Sequence, residues 1–270
     1  FNIIGDWLLI YPIAWGTKGA AIATGISQTL GLLILLPYFI RKQGNLRFVK
    51  AKLEGGIFKD IMMHGLPEGI SQFAQPVMTF CMNMVLVKMI GDLGVNAFSV
   101  ISYIASFSMA AFFGASEGLQ PLFGQSYGAR KEEDLKFYFK AGLKISFWGS
   151  SFVTIVAVLL SRQICTLFGT DAATQKYVLK VVQKFAVGFI AMALNVMISS
   201  YLYSTERSSL ALRISVLRSV VVNVAIILIL PRIFGEGVIW FSLLIYEAIV
   251  LIISVILLKR SEQKGIYIKE

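Results

Sequence analysis

Residues 111–131 read AFFGASEGLQPLFGQSYGARK. The run begins as an apolar membrane segment and carries one carboxylate, Glu117, inside it. Gly114/Gly118 and Gly124/Gly128 form GxxxG pairs, the spacing that lets helices in lipid approach closely. Pro121 is expected to break the helix, because it lacks an N–H and its ring meets the preceding turn. A charged patch, Arg130 to Lys136, follows at once. Small residues for close packing, an embedded acid and a helix breaker are more than a passive anchor needs.

The rest of the chain extends this membrane reading. It has 270 residues, 57% of them hydrophobic, and a mean hydropathy of +0.75, well above soluble domains. Apolar runs near the length of a bilayer crossing recur throughout. We expect spans at 20–40, 61–89, 96–123, 141–160, 177–203, 211–230 and 238–258, with a partial span at 1–10. The fold class is therefore an all-α polytopic membrane protein with seven full transmembrane helices and one partial one. The chain begins at Phe1 inside an apolar run without an initiator Met, so an N-terminal truncation is expected.

Charge sets the orientation. The net charge is +10, but the basic residues are scattered between apolar runs and form no continuous basic face, which argues against nucleic acid. Residues 41–59, 130–144, Arg207, Arg213 and the tail hold 17 of the 25 Lys and Arg. Placing them in the cytoplasm satisfies the positive-inside rule across every span and puts the C-terminus inside a bacterial plasma (inner) membrane. Asp171 is a candidate N-cap after the 168–171 turn. Glu132 and Glu133 face Lys136 at helical spacing. Cys81 and Cys165 lie in or beside apolar runs and a lone His64 gives no metal cluster, so neither a disulfide framework nor a metal site is expected. No nucleophile constellation or phosphate loop is visible, and no enzyme activity or cofactor is expected.

Two stretches repeat a pattern. NIIGDWLLIYPIAWGTKGAAIAT from Asn2 and NVAIILILPRIFGEGVIWFS from Asn223 both run Asn, apolar helix, Pro, a glycine turn and a further span. Both lead into helices crossing in the same direction, as a parallel duplication would.

Ionisable groups inside spans are functional hypotheses by default, since each costs at least about 2.5 kcal/mol to insert. Glu117 and Glu68 fall at similar depth on consecutive helices. They read either as acids sharing a proton for coupling or as structural hydrogen-bonding groups near the headgroups. Glu247 sits mid-span, facing a cavity or a basic partner, for which Lys184 and Arg218 are the candidates. Arg218 is expected to snorkel to the cytoplasmic surface instead. Gln72, Gln75, Asn83, Tyr103 and Asn195 are polar groups that line a cavity or bond between helices. Met62, Met63, Met78, Met82, Met84 and Met89 crowd one helix and suit either adaptable ligand contact or packing.

The chain resembles the multidrug and toxic compound extrusion (MATE) family of the MOP superfamily, in its MepA-like bacterial branch. The residues that carry the resemblance are NIIGDWLLIYPIAWGTKGAAIAT, GLPEG at 65–69 and GLQPLFGQSYGARK at 118–131, in that order and spacing. It implies two six-helix lobes about a central cavity. Residues 1–40 would be the fifth and sixth helices ending an N-terminal lobe, 41–56 a cytoplasmic linker and 57–270 a six-helix C-terminal lobe. It implies secondary active efflux of amphipathic, often cationic drugs or toxic compounds in exchange for H⁺ or Na⁺, with the bilayer and the missing N-terminal lobe helices as partners. Family members that place coupling carboxylates in the seventh and tenth helices would have them where Gln75 and Met192 stand, and neither can carry the charge. The rival within the superfamily is a lipid-linked oligosaccharide flippase, whose cavity should be strongly cationic. A membrane-embedded enzyme or a receptor is the rival from other classes.

Overall fold

The computed structural model describes residues 1–41, 55–263 and 265, without the side chains of Asp60, His64, Pro67, Glu68 and Ser71. Most of the expected linker, 41–56, lies outside them. The protein is all-α. Among the described residues, six helical runs are long and apolar enough to cross a bilayer: Gly16–Ile40, Asp92–Gly128, Glu132–Leu159, Ala172–Ser204, Ser208–Phe234 and Glu236–Gln263. The chain divides into two compact units, Phe1–Glu54 and Gly55–Glu270.

In the first unit, α1 (Asn2–Ile10) and α2 (Gly16–Ile40) form an antiparallel hairpin. Asn2 Nδ2 donates to Thr24 Oγ1 at 3.3 Å. A Cβ on Gly19 would lie 2.9 Å from Leu9 Cβ, so this glycine is where the two helices close on each other. Gly16, at φ +55°, turns the chain between them.

The second unit starts with α3 (Gly55–Gln72) and α4 (Ala74–Met89). The expected span 61–89 is thus two helices meeting at Phe73. Pro76 has no N–H for the Gln72 carbonyl, so the ladder opens a turn before it. There Phe73 N–H donates to Ile70 O at 3.1 Å. Gly91 takes φ +76° and α5 (Asp92–Gly128) begins directly after it, so the expected turn at 91–94 shrinks to one residue.

Within α5 the opening stretch behaves differently from its sequence reading. The helix runs through Pro121 without a break. A proline removes one ladder bond, whereas ending the helix in lipid would expose several polar groups. Nor do the GxxxG glycines make a close helix contact here. A Cβ added at Gly114, Gly118, Gly124 or Gly128 would meet nothing within 4 Å among the described residues. Close approach happens elsewhere, at Gly142 and Gly188.

α6 (Glu132–Leu159) joins the expected surface helix and span in one element. Its first turn pairs Glu132 with Lys136 on the exposed surface, where such pairs contribute little. The short α7 (Ser161–Leu167) follows. Asp171 then caps α8 (Ala172–Ala186), accepting from Ala173 N and Thr174 N, both at 3.1 Å. Hydrogen bonds from Thr174 hold the Asp171 carboxyl below its ordinary range. A depressed carboxylate contributes stability at neutral pH and loses it as pH falls through its lowered pKa. We expect amide exchange at Ala173 and Thr174 to accelerate through that acid window, corrected for intrinsic rates, and Asp171→Ala to show the fast exchange at neutral pH.

α9 (Gly188–Ser204) and α10 (Ser208–Val216) come next. Leu217–Val222 is a π-helical turn, after which α11 (Asn223–Phe234) completes the crossing. A glycine at φ +84°, Gly235, leads into a 3₁₀ segment (Glu236–Phe241) and α12 (Ser242–Gln263). Both copies of the sequence repeat therefore fold as helix, positive-φ glycine turn and helix. Their leading asparagines differ in role: Asn223 Nδ2 donates to Ala74 O at 3.2 Å.

The core of this unit has two parts. One gathers Met78, Met82, Leu86, Phe98, Phe185, Phe189 and Trp240. The other gathers Phe123, Leu135, Met197, Tyr201, Leu210 and Ile214. The methionine cluster is split by this packing: Met78 and Met82 are buried, while Met62, Met63 and Met84 are exposed.

Candidate functional site

The polar centre of the second unit is built by three elements. Glu247 lies five residues into α12, after Ser242 and Tyr246 and before the apolar run Ala248–Ile253. Asn195 lies mid-way along α9. Arg218 is the second residue of the π turn. The π turn matters because it buries two consecutive residues, Arg218 and Ser219, and turns Val220 and Val221 outward. Its polar groups grip in two directions. Ser219 Oγ donates to Ile70 O at 2.9 Å, and with Asn223 it supports the open backbone around Phe73. Arg218 reaches the opposite way.

Arg218 Nε donates to Glu247 Oε1 at 3.0 Å and to Oε2 at 3.1 Å. The Arg218 and Glu247 side chains are 2% and 0% exposed, which decides that the pair works without water screening. Asn195 Nδ2 donates to Glu247 Oε2 at 2.6 Å and to the Glu247 carbonyl at 2.9 Å. The expected snorkelling of Arg218 is therefore overturned. A carboxylate fixed mid-helix within reach compensates the guanidinium better than a long stretch to the surface would. The contact is one N–H shared by two oxygens, so it lacks the parallel fork of a bidentate pair. Chemically, the triad is a neutral, buried clamp joining α9, the π turn and α12.

Of the other candidates, Lys184 is not part of this cluster. Its Nζ lies 5.6 Å from the centroid of the Phe241 ring, a cation–π contact. Glu117 is exposed on α5 and meets no partner among the described residues. The Glu68 side chain lies outside them. Gln72 ends α3 exposed. Gln75 and Asn83 are half-buried on α4, each with one buried polar atom unpartnered among the described residues. Met192, opposite the other family acid position, is packed in the core. Tyr103 stacks on Phe168 with ring centroids 4.9 Å apart. It borders an apolar cavity of about 400 Å³ between α5, α6 and α7, lined also by Phe107 and Phe152. The expected set thus falls into separate places, and Glu247 and Asn195 are brought together. Arg218 is the residue to add. The signal for it was two opposite charges in the middle of neighbouring spans.

Comparison with known proteins gives the wider setting. The MatE family model matches residues 67–229. The multidrug export protein MepA of Staphylococcus saprophyticus is 24% identical over 258 residues, covering 92% of this chain and 55% of that protein. MepA of Staphylococcus haemolyticus is 26% identical over 254 residues with the same coverage. The chain therefore spans about half the length of these relatives. Among solved structures, a multidrug resistance MATE transporter in an outward-facing conformation superposes with a TM-score of 0.87 at 22% identity, over 98% of this chain and 60% of that one. A MOP superfamily transporter from Pyrococcus furiosus, whose binding pocket is described as of reverse polarity, gives 0.86 at 23% identity, over 98% and 61%. With the family match covering more than half of its residues, and helices arranged as in solved MATE transporters, the chain belongs to the MatE family.

Proposed function

We propose that the chain supplies the C-terminal six-helix lobe, and the end of the N-terminal one, of a secondary active multidrug efflux antiporter. It exports amphipathic, often cationic compounds across the plasma membrane in exchange for H⁺ or Na⁺, with its C-terminus in the cytoplasm. The observation that carries the reading is the likeness to multidrug export proteins over 92% of the chain. Coupling fits Glu117: an exposed carboxylate on a 37-residue apolar helix that is costly to keep in a membrane without a use. The flippase reading is disfavoured by the same residues that would have served it. Glu247 neutralises Arg218, which leaves of the two candidate cations only Lys184, set against Phe241, and one cation does not make a strongly cationic cavity.

The test uses the complete gene product in efflux-deficient bacteria preloaded with ethidium. Energised cells should lose dye faster than cells with an empty vector. Collapsing the pH gradient and removing Na⁺ separately identifies the coupling ion. Glu117→Gln should abolish the ion-dependent part while leaving membrane abundance unchanged. Equal efflux by this variant removes Glu117 from coupling, and no efflux above the vector by well-expressed wild-type protein overturns the proposed function.

A further inference from the structure

Two cavities of the second unit join into one amphipathic groove. The apolar one, about 400 Å³, is bordered by Phe107 of α5, Phe152 and Leu160 at the end of α6, and Ile164 and Leu167 of α7. The other, about 430 Å³, is bordered by Asn96 and Ser99 of α5 and by Thr170 and Asp171 of the turn before α8. Tyr103 and Phe168 line both cavities, and their stacked rings mark where one becomes the other.

We propose that this groove binds a phosphatidylethanolamine molecule, with an acyl chain in the apolar part and the ammonium head against Asp171. The direction of the groove is the first argument. Along α5 its lining changes from Asn96 and Ser99 to Phe107. The apolar part covers the last turns of the expected 141–160 span, and the polar part sits at the 168–171 turn between that span and the next. Apolar within the membrane and polar at its surface is how a lipid stands in its leaflet, and a tyrosine at the boundary suits the interface. Phe107, Phe152, Leu160 and Leu167 are exposed, so the apolar part opens outward from the helices. Its Ser108 hydroxyl already donates to Ile104 O at 2.8 Å, which leaves too few polar partners there to hold water.

The chemistry of the polar part selects the head group. Among the described residues, Asp171 is the one charged residue that lines it. Its carboxylate is exposed and ionised at neutral pH. Ser99 Oγ donates to Val95 O at 3.0 Å and Thr170 Oγ1 to Cys165 O at 3.1 Å, so both oxygens are left to accept. The groove therefore offers acceptors and a negative charge, which a primary ammonium with three N–H donors meets. A choline head carries the charge without the N–H groups. A glycerol head would set its phosphate beside the carboxylate with no cation between them.

The experiment uses the complete gene product in phosphatidylcholine nanodiscs that contain a trace of lipid with a photoreactive acyl chain. The same chain is carried on an ethanolamine, a choline or a glycerol head, and labelled peptides are mapped by mass spectrometry. The ethanolamine probe should label segments 103–108 and 152–160 about two- to fivefold more than the other two, the range of an exposed ion pair. Ile145 and Trp148, exposed further along α6, should be labelled alike by all three. Asp171→Asn keeps a side chain that caps α8 and should remove the preference at the groove alone. Equal labelling of the groove by the three probes, a preference for the glycerol head, or a preference unchanged in Asp171→Asn overturns the proposal. Label at Ile145 and Trp148 with none at the groove shows that protein or another ligand fills it, and overturns the proposal too. If Asp171→Asn does not fold, the wild-type ratios decide.

Discussion

Arg218→Met should destabilise the protein by about 3–5 kcal/mol, because it leaves the Glu247 carboxylate buried without its counter-charge. Glu247→Leu should do so to a similar degree by stranding the guanidinium. The double variant, Arg218→Met with Glu247→Leu, should return to within about 1 kcal/mol of wild type or exceed it, since a matched pair of apolar side chains avoids both desolvation penalties. Reversible unfolding in mixed micelles gives the three values and the coupling energy between the sites. The expectation rests on exposures of 2% and 0% for the two side chains and on the Nε contacts at 3.0 and 3.1 Å. Single variants indistinguishable from wild type would mean that water reaches the pair. Asn195→Ala should cost less, about 1–3 kcal/mol, as it removes a neutral donor and leaves the ion pair in place.

Gly188→Ala should be the most damaging single methyl among the described helical glycines. A Cβ there would lie 2.6 Å from Leu243 Cγ and 2.8 Å from the Leu244 backbone nitrogen. A side chain can rotate away, but a backbone nitrogen moves only with its helix. Overpacking of this kind costs about 1–3 kcal/mol. The same displacement would pull α9 from α12 where Asn195 and Glu247 bond, so the loss should spread to the clamp. Gly118→Ala is the matched control. Its Cβ meets nothing within 4 Å, and better helix propensity should make it neutral or stabilising by up to about 1 kcal/mol. Melting temperatures of the two variants separate them. If Gly188→Ala melts with wild type, α9 and α12 do not pack as closely as described.

These two predictions mark what could be read in the chain and what could not. Six of the seven expected spans, the Asp171 cap and the Glu132–Lys136 pair were legible because each depends on residues close in sequence, whereas 61–89 divides at Phe73. Hydropathy alone also found the membrane class. The interior of the site was legible only in part. Glu247 and Asn195 stood out as polar residues in apolar runs, and Arg218 was recognised as a possible partner. Arg218 was expected to turn outward and instead turns inward, because its direction depends on the π turn, and no local pattern in Leu217–Val222 announces one. The glycines failed for a related reason. GxxxG spacing shows that a helix can be approached closely on one face, but the sequence of that helix does not say whether anything approaches. Pro121 misled because breaking rules learned in water undervalue how costly an open backbone is in lipid.

The π turn carries a further consequence, in the currency of descent. It holds one residue more than an α turn, so every side chain after it is rotated by about 100° from where an unbroken helix would put it. Loss of a single residue within Leu217–Val222 would restore an ordinary helix of almost unchanged length. It would also break the register between the face that holds Arg218 and the face that carries Asn223 to Ala74. A relative without the extra residue would align with this chain only through a one-residue gap in mid-membrane. Its residue opposite Glu247 would then be a sequence neighbour of the one that simple counting selects. Insertion and deletion, as well as substitution, can therefore move a charge into or out of the buried pair during the family's divergence.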